Sequence, residues 1–413
     1  MNSEILKKVF TTIENYQSAM IQMQTELTGI PALSPENNGT GENEKADYLK
    51  KYLKTTLQPD SLEQIDAPDS RVPAGFRPNL LARFNGKNHR KTIWIMSHLD
   101  VVPPGEASLW HTDPYKVVIK NGKLFGRGVE DNQQGLVGSV FAVKALKDLG
   151  IMPEYDIGLA IVADEETGSK YGLTYVLKNQ RDLFRKDDLI IVPDAGNGEG
   201  TMIEVAEKSI LWLKFEVIGK QCHGSTPEVG INAHKAGAHL IVKLNQLYDI
   251  FKVSDPVFDP PISTFEPTRK EANVPNVNTI PGEDVFYFDC RVLPNYPLAE
   301  VEAEIQRMMA EIEKSFGVTV KISSPQREEA APSTPTDAPV VEALKLAIKD
   351  VYKREAKTVG IGGGTVAAFF RRAGLNAAVW ATLDEVAHQP NEYCILSNLI
   401  NDTKVFAHIF LQE

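Results

Sequence analysis

The sequence predicts an α/β fold: a mostly parallel sheet with helices on both faces, interrupted by a second, smaller module. Four near-continuous apolar runs alternate with helical segments, which is typical of strands buried on both faces. These runs are Thr92–Met96, Asp156–Ala163, Leu189–Val192 and Ala377–Thr382. Between them, residues 209–323 show the order strand, helix, strand, strand, helix, strand of a ferredoxin-like module. The first domain therefore comprises residues 1–208 and 324–413.

Helical spacing of apolar side chains predicts an amphipathic helix over residues 3–26, and a second helix is predicted over 45–56. The β-type runs 80–84 and 91–96 flank a turn containing Asn and Gly, which predicts a hairpin. Helices are also predicted in the first domain over residues 132–149 and 338–354. In the inserted module the predicted elements are strands 211–218, 262–266, 284–293 and 318–322 and helices 232–251 and 298–316. A Pro/Thr/Ala stretch at 325–339 is predicted to return the chain to the first domain.

Composition narrows the classes of function. The 413 residues include 44 Lys plus Arg and 55 Asp plus Glu, for a net charge of −11. An acidic chain lacks the positive surface that nucleic acid or an anionic membrane requires, so neither is an expected partner. Three cysteines without CxxC spacing make a disulfide framework unexpected. With no apolar run near 18 residues and no apolar core in the N-terminal segment, we expect a cytoplasmic protein.

Acidic and imidazole side chains follow the predicted parallel strands. In an open α/β sheet, ligands bind beyond the carboxyl ends of the strands, so these residues are expected to converge there. They are His98, Asp100, Glu165, Glu166, Asp194 and His388, together with Asp131 just before a predicted helix. Carboxylates gathered in a partly dry site repel one another unless a cation lies between them. Imidazole and carboxylate ligands favour zinc, and their number favours two metal ions sharing a carboxylate.

Four segments, in this order, resemble motifs of the M20 metallopeptidase family. They are His98-Leu99-Asp100, Phe125–Asn132 (FGRGVEDN), Glu165-Glu166 and Ala387–Glu392 (AHQPNE). The family includes aminoacylase-1, acetylornithine deacetylase, succinyl-diaminopimelate desuccinylase, glutamate carboxypeptidase and several dipeptidases. The resemblance extends over nearly the whole chain, and it implies that the inserted module is a lid or dimerisation domain.

The resemblance implies a role for each of these residues. Asp131 would bridge two divalent ions, zinc before cobalt or manganese, with one site completed by His98 and Asp194. Glu166 and His388 would complete the other. Asp100 would accept the ring N–H of His98 and fix its tautomer. Glu165 would be the general base, taking a proton from a water molecule shared by the two ions.

Other residues would contact the substrate. By resemblance, His223 in Cys222–Pro227 (CHGSTP) would reach the active site of a partner subunit, which implies a homodimer formed through residues 209–323. Asn278 and Arg291 would bind substrate. Gly363, Gly364 and Thr365 would hold a substrate carboxylate against main-chain N–H groups. Val366 departs from the acidic residue that often follows in the family.

These roles predict a hydrolase that cleaves an amide bond in a small peptide or an amino-acid derivative. Asp194 favours a dipeptidase or aminopeptidase, because the family has Asp here in many such enzymes and Glu in many deacylases. An N-acyl-amino-acid deacylase is the alternative. A non-catalytic binding protein is more remote, since no ligand is missing. Nucleotide binding at the turn Gly362–Gly364 is a third possibility, although no phosphate-reaching Lys follows it.

Overall fold

The computed structural model describes residues 3–413 and divides the chain into two compact units. Unit 1 contains residues 1–205, 334–358 and 365–413, of which residues 1 and 2 are not described. Unit 2 contains residues 206–333 and, unexpectedly, the short segment 359–364. The predicted return linker at 325–339 begins later than expected, because the last strand of unit 2 continues to Glu328.

The helices of the described chain are α1 (Ser3–Asn15), α2 (Gln17–Thr28), α3 (Asn43–Tyr52), α4 (Gln133–Asp148), α5 (Leu173–Asn179), α6 (Ala233–Leu244), α7 (Leu247–Ile250), α8 (Leu298–Phe316), α9 (Pro339–Tyr352), α10 (Ala367–Arg372) and α11 (Leu396–Phe410). The single N-terminal helix predicted over 3–26 is two helices, separated at Tyr16. None of the described helices combines the length and apolar character needed to cross a membrane.

The strands of the described chain are β1 (Ser61–Pro68), β2 (Phe76–Phe84), β3 (Asn88–His98), β4 (Val118–Lys120), β5 (Lys123–Phe125), β6 (Tyr155–Val162), β7 (Leu189–Gly196), β8 (Met202–Glu207), β9 (Ser209–Ile218), β10 (Cys222–His223), β11 (Thr264–Lys270), β12 (Thr279–Ile280), β13 (Glu283–Val292), β14 (Thr319–Glu328), β15 (Lys357–Ile361), β16 (Ala377–Ala381) and β17 (Tyr393–Ile395). Eight of them form the large sheet, in the order β1-β2-β6-β3-β7-β16-β8-β15.

The centre of the large sheet is parallel, as predicted. Strands β6, β3, β7 and β16 run in one direction, while β1, β2 and β8 pair antiparallel toward the edges. Their apolar side chains are buried because helices cover the sheet; Trp94, Ile190 and Val379, for example, are inaccessible to solvent. The chain therefore has a mixed α/β fold whose central strands end at a common edge.

The predicted hairpin between β2 and β3 is wrong. Strand β6 lies between them, antiparallel to β2 and parallel to β3. The main-chain N–H groups of Lys87 and Asn88 donate to the carbonyls of Pro153 and Glu154, which lead into β6. The turn thus pairs with a distant segment, which local turn chemistry could not reveal.

Unit 2 contains a four-stranded antiparallel sheet in the order β11-β13-β9-β14, with α6 and α8 in its connections. Its core is apolar and aromatic. Phe215 stacks on Phe286 with ring centroids 5.0 Å apart, and Leu240 and Ile305 from the two helices belong to the same buried cluster. The longer elements follow the predicted order, with the short strands β10 and β12 and the helix α7 in addition. That this unit is a ferredoxin-like lid or dimerisation domain stays a prediction.

Candidate metal centre

The carboxyl ends of the central strands carry the predicted ligands. His98 is the last residue of β3, Asp194 lies near the end of β7, and Glu166 follows β6. Asp131 lies two residues before α4, and His388 lies in the loop between β16 and β17. The parallel direction of the strands places their ends side by side, so residues far apart in sequence meet within unit 1.

Two groups of candidate ligand atoms share one residue. Ligand atoms of His98, Asp131 and Asp194 lie within 4.8 Å of one another, and so do those of Asp131, Glu166 and His388. The two oxygens of Asp131 face different imidazoles: Oδ1 is 3.0 Å from His98 Nε2, and Oδ2 is 3.2 Å from His388 Nε2. Asp131 is therefore placed to bridge two sites.

The tautomer of His98 also fits a cation. Its Nδ1 lies 3.0 Å from the main-chain carbonyl of Asp100, and a carbonyl only accepts hydrogen bonds. In a neutral ring the proton is therefore on Nδ1, and Nε2 directs its lone pair toward the oxygens of Asp131 and Asp194, at 3.0 and 3.4 Å. Although burial lowers the pKa of His98, hydrogen bonds with the neighbouring carboxylates raise it well above its usual value, so Nε2 attracts positive charge, either a proton or a cation in its place.

The pKa values at the site lead to the same conclusion. Burial raises the pKa of the Glu166 carboxyl to about 7, against the hydrogen bond with His388 that lowers it. Burial and the nearby Asp194 raise the pKa of Glu165 well above its ordinary value. Hydrogen bonds with Asp131 and Glu166 raise the pKa of His388 to about 10. Raised pKa values of these carboxyls indicate that too little positive charge lies near them. Divalent cations would supply that charge, so the donor set fits them.

The resemblance implies that the carboxylate of Asp100 accepts the ring N–H of His98, and two oxygens of Asp100 lie near that N–H. Its main-chain carbonyl accepts that bond, while Oδ1 is 3.5 Å from Nδ1. The carboxylate accepts the main-chain N–H groups of Glu165 and Glu166, at 3.1 and 3.0 Å. Asp100 thereby orients both glutamates as well as the imidazole. Its contact with the glutamates was not predicted from the sequence.

Two of the predicted substrate-contacting residues of unit 2, His223 and Asn278, lie on neighbouring segments, because β10 pairs with β12. His223 is exposed, and its Nδ1 accepts the main-chain N–H of Ser225 at 3.2 Å, which leaves the Nε2–H of the neutral ring free to donate. Asn278 is also exposed, and its carbonyl accepts the N–H of Gly224 at 2.7 Å.

Arg291 already has partners. Its Nε and Nη2 bind the carboxylate of Asp289 at 2.7 and 3.0 Å, and Nη1 donates to the carbonyl of Gly362 at 2.7 Å. It thus ties β13 to the glycine turn of unit 2. Gly363 and Gly364 belong to this turn, whereas Thr365 begins the next segment of unit 1. The helix that follows, α10, has only six residues.

Three polar residues beside the ligands were not predicted from the sequence. The Asn132 side chain donates to Asp194 Oδ1 at 2.9 Å and to the carbonyl of Pro193 at 2.8 Å. Glu392 accepts the main-chain N–H of Asp131, and Glu130 accepts that of Val386, two residues before His388. All three lie within the family-like segments, but nothing in a linear sequence shows which main-chain groups a carboxylate will accept.

The fold and this donor set define a metal-dependent hydrolase. A model of the peptidase family M20/M25/M40 matches residues 94–412, and the chain belongs to that family. An uncharacterized metallohydrolase of Methanocaldococcus jannaschii is 42% identical over 403 residues, covering 94% of this chain and 98% of the relative. A succinyl-diaminopimelate desuccinylase of Nautilia profundicola is 27% identical over 376 residues, covering 90% and 93%.

Solved structures show the same fold. The aminopeptidase PepT of Bacillus cereus aligns with a TM-score of 0.74 at 20% identity, over 96% of this chain and 98% of that one. A protein of Bacillus subtilis described as a dinuclear metal-binding M20 peptidase aligns with a TM-score of 0.64 at 15% identity, over 96% and 98%. The predicted family and the predicted enzyme class, a metal-dependent peptidase or amidohydrolase, are confirmed.

Proposed function

We propose that the protein is a two-metal hydrolase that cleaves an amide bond in a small peptide or amino-acid derivative. The observation that carries the proposal is the shared Asp131, whose two oxygens face the two imidazoles at 3.0 and 3.2 Å. One ion would be held by His98, Asp131 and Asp194, and the other by Asp131, Glu166 and His388. Zinc fits best, with cobalt or manganese as substitutes.

Two divalent ions in these positions would polarise the amide carbonyl and lower the pKa of the attacking water. The chain supplies the proton transfers. Glu165 receives the proton of that water on its carboxylate and delivers it to the leaving nitrogen, as a general acid–base group does. Its neighbour Glu166 contacts His388 at 3.0 Å, so the two glutamates divide the roles of base and ligand.

His223 of unit 2 acts in our proposal from a partner subunit. The free Nε2–H of His223 would donate to the oxyanion that forms at the carbonyl carbon. Asn278 and Arg291, with Gly363, Gly364 and Thr365, would bind the ends of the substrate. This part requires a homodimer formed through residues 209–323.

A dipeptidase or aminopeptidase is the preferred activity, because Asp194 is the shorter of the two carboxylates used at this position. The likeness to a desuccinylase over 90% of the chain favours an N-acyl-amino-acid deacylase as second candidate.

Assays of the zinc-loaded protein with a dipeptide, an N-acetyl-amino acid and an N-succinyl-amino acid decide between them. We expect turnover of the dipeptide. Turnover of only the acylated substrates would establish the deacylase, and turnover of none, with ions bound, would support a binding protein.

A further inference from the structure

We propose that Glu130 and Glu392 are positioning residues that hold the Asp131 loop (126–132) and the His388 loop (382–392) together. Each glutamate belongs to one loop and binds the main chain of the other. We call this arrangement the reciprocal clamp. The inference rests on the metal site proposed above, because its consequence is the distance between two ligands of that site.

Glu392 gathers the Asp131 loop. Its Oε1 accepts the main-chain N–H groups of Glu130 at 2.9 Å and Asp131 at 3.2 Å. Its Oε2 accepts the N–H of Gly128 at 3.0 Å and Nη1 of Arg127 at 2.6 Å. These four bonds use the whole acceptor capacity of one carboxylate, whose residue is 1% exposed. The main chain of Asp131 is thus fixed from the other loop.

Glu130 returns the contact. Its Oε1 accepts the main-chain N–H of Asp384 at 2.8 Å, and its Oε2 accepts that of Val386 at 2.7 Å. Both donors precede His388 by a few residues, and Glu130 is only 3% exposed. Because a carboxylate buried without partners is costly, both glutamates favour the one arrangement of the loops that satisfies them.

The His388 loop needs such support. Glu385, His388 and Asn391 have φ values of 57°, 63° and 63°, in the left-handed region that non-glycine residues rarely adopt. The imidazole of His388 is 55% exposed, so packing against the protein does little to hold it. Residues in such conformations persist only where surrounding contacts determine them, and Glu130 supplies two of those contacts.

The clamp acts unequally on the two proposed sites. His98 and Asp194 lie on the hydrogen-bonded strands β3 and β7. His388 reaches Asp131 and Glu166 only through its loop, with Nε2 at 3.2 and 3.0 Å. Because Asp131 serves both sites but His388 depends on the clamp as well, loosening the clamp should weaken the ion bound by His388 more than the ion bound by His98.

The variants Glu392→Gln and Glu130→Gln test this. Each keeps the size of the side chain but places an NH₂ donor where main-chain N–H groups need an acceptor. Metal-free protein is titrated with zinc in competition with a chelating dye. We expect the second equivalent to bind about 10–100-fold more weakly, the range for lost partners of metal ligands, and the first equivalent to lose much less affinity.

Glu204→Gln is the matched control. Glu204 is also a fully buried carboxylate of unit 1, with Arg371 as its ion-pair partner at 2.8 Å. It should lose thermal stability and keep both zinc affinities. If Glu392→Gln does not fold, Glu130→Gln decides alone, since each oxygen of Glu130 accepts one hydrogen bond whereas each oxygen of Glu392 accepts two.

Two results would overturn the clamp: unchanged affinities for both equivalents in the clamp variants, or an equal loss at both sites. A wild-type protein that binds no zinc would instead refute the proposed function. The two failures are therefore distinguishable without measuring activity.

Discussion

The two units differ in how much charge they bury. At the ligand edge of unit 1, charged side chains are buried and bonded to one another or to main-chain groups; Glu42, Arg77 and Arg127 are examples. In unit 2, the core is apolar, and ion pairs such as Arg307 with Glu304 and Glu311 lie at the surface. Burying charge is costly unless every group is satisfied. Unit 1 buries charge at its ligand edge, where the bonded charges fix the positions of the candidate ligands. The core of unit 2 is stabilised by apolar packing.

In our proposal the proton transfers take place in unit 1, and the largest effect is expected at Glu165. Glu165→Gln should lower kcat by about 10²–10⁴, the range for a lost general acid–base group. Metal content, measured by mass spectrometry, should stay near the wild-type value because the amide keeps the size of the side chain. Loss of an ion in this variant would reassign Glu165 as a ligand.

Charge burial itself is tested by two arginines. Arg77 binds Glu42 through two nitrogens, with both side chains inaccessible to solvent, and Nη1 lies 3.5 Å from Asp164. Arg77→Leu removes the cation that these buried carboxylates bind. It should lower the free energy of unfolding by about 3–5 kcal/mol.

Arg307, on α8 of unit 2, serves as the matched control. Its side chain is 52% exposed, so Arg307→Leu should leave urea unfolding close to that of the wild type. Similar costs for the two variants would remove the distinction between the units.

In our proposal, His223 is the residue of unit 2 that stabilises the oxyanion. His223→Ala should lower kcat by about 10²–10³, as for a lost oxyanion donor, with zinc content unchanged. Mixed dimers of His223→Ala and Glu165→Gln chains should regain part of the activity, because one of their two sites would contain both intact residues. No recovery, with subunit exchange demonstrated, would show that His223 does not act across subunits.

A small effect is expected in the apolar core of unit 2. Ile305 is 1% exposed on α8, and Ile305→Val should cost about 0.5–1.5 kcal/mol of stability by removing one methylene. Steady-state kinetics should show unchanged kcat and KM. A large kinetic effect would mean that this core also sets the geometry of the site.

The sequence predicts the strands that carry ligands because their apolar runs are long and end in polar residues. It predicts neither β8 nor β15, whose place in the large sheet depends on distant partners. The hairpin prediction failed for the same reason, since β6 pairs between β2 and β3. Motif resemblance singled out the residues that meet at Asp131. It could not show Glu130 and Glu392, because the groups they bind are main-chain atoms of another loop.

Native mass spectrometry of the zinc-saturated chain, beside the variant Asp131→Asn, tests the shared-carboxylate site most directly. The account predicts two ions per wild-type chain and weaker binding in the variant, because Asp131 serves both sites. A wild-type chain that saturates at one ion, or a variant that binds two as tightly as the wild type, would contradict it.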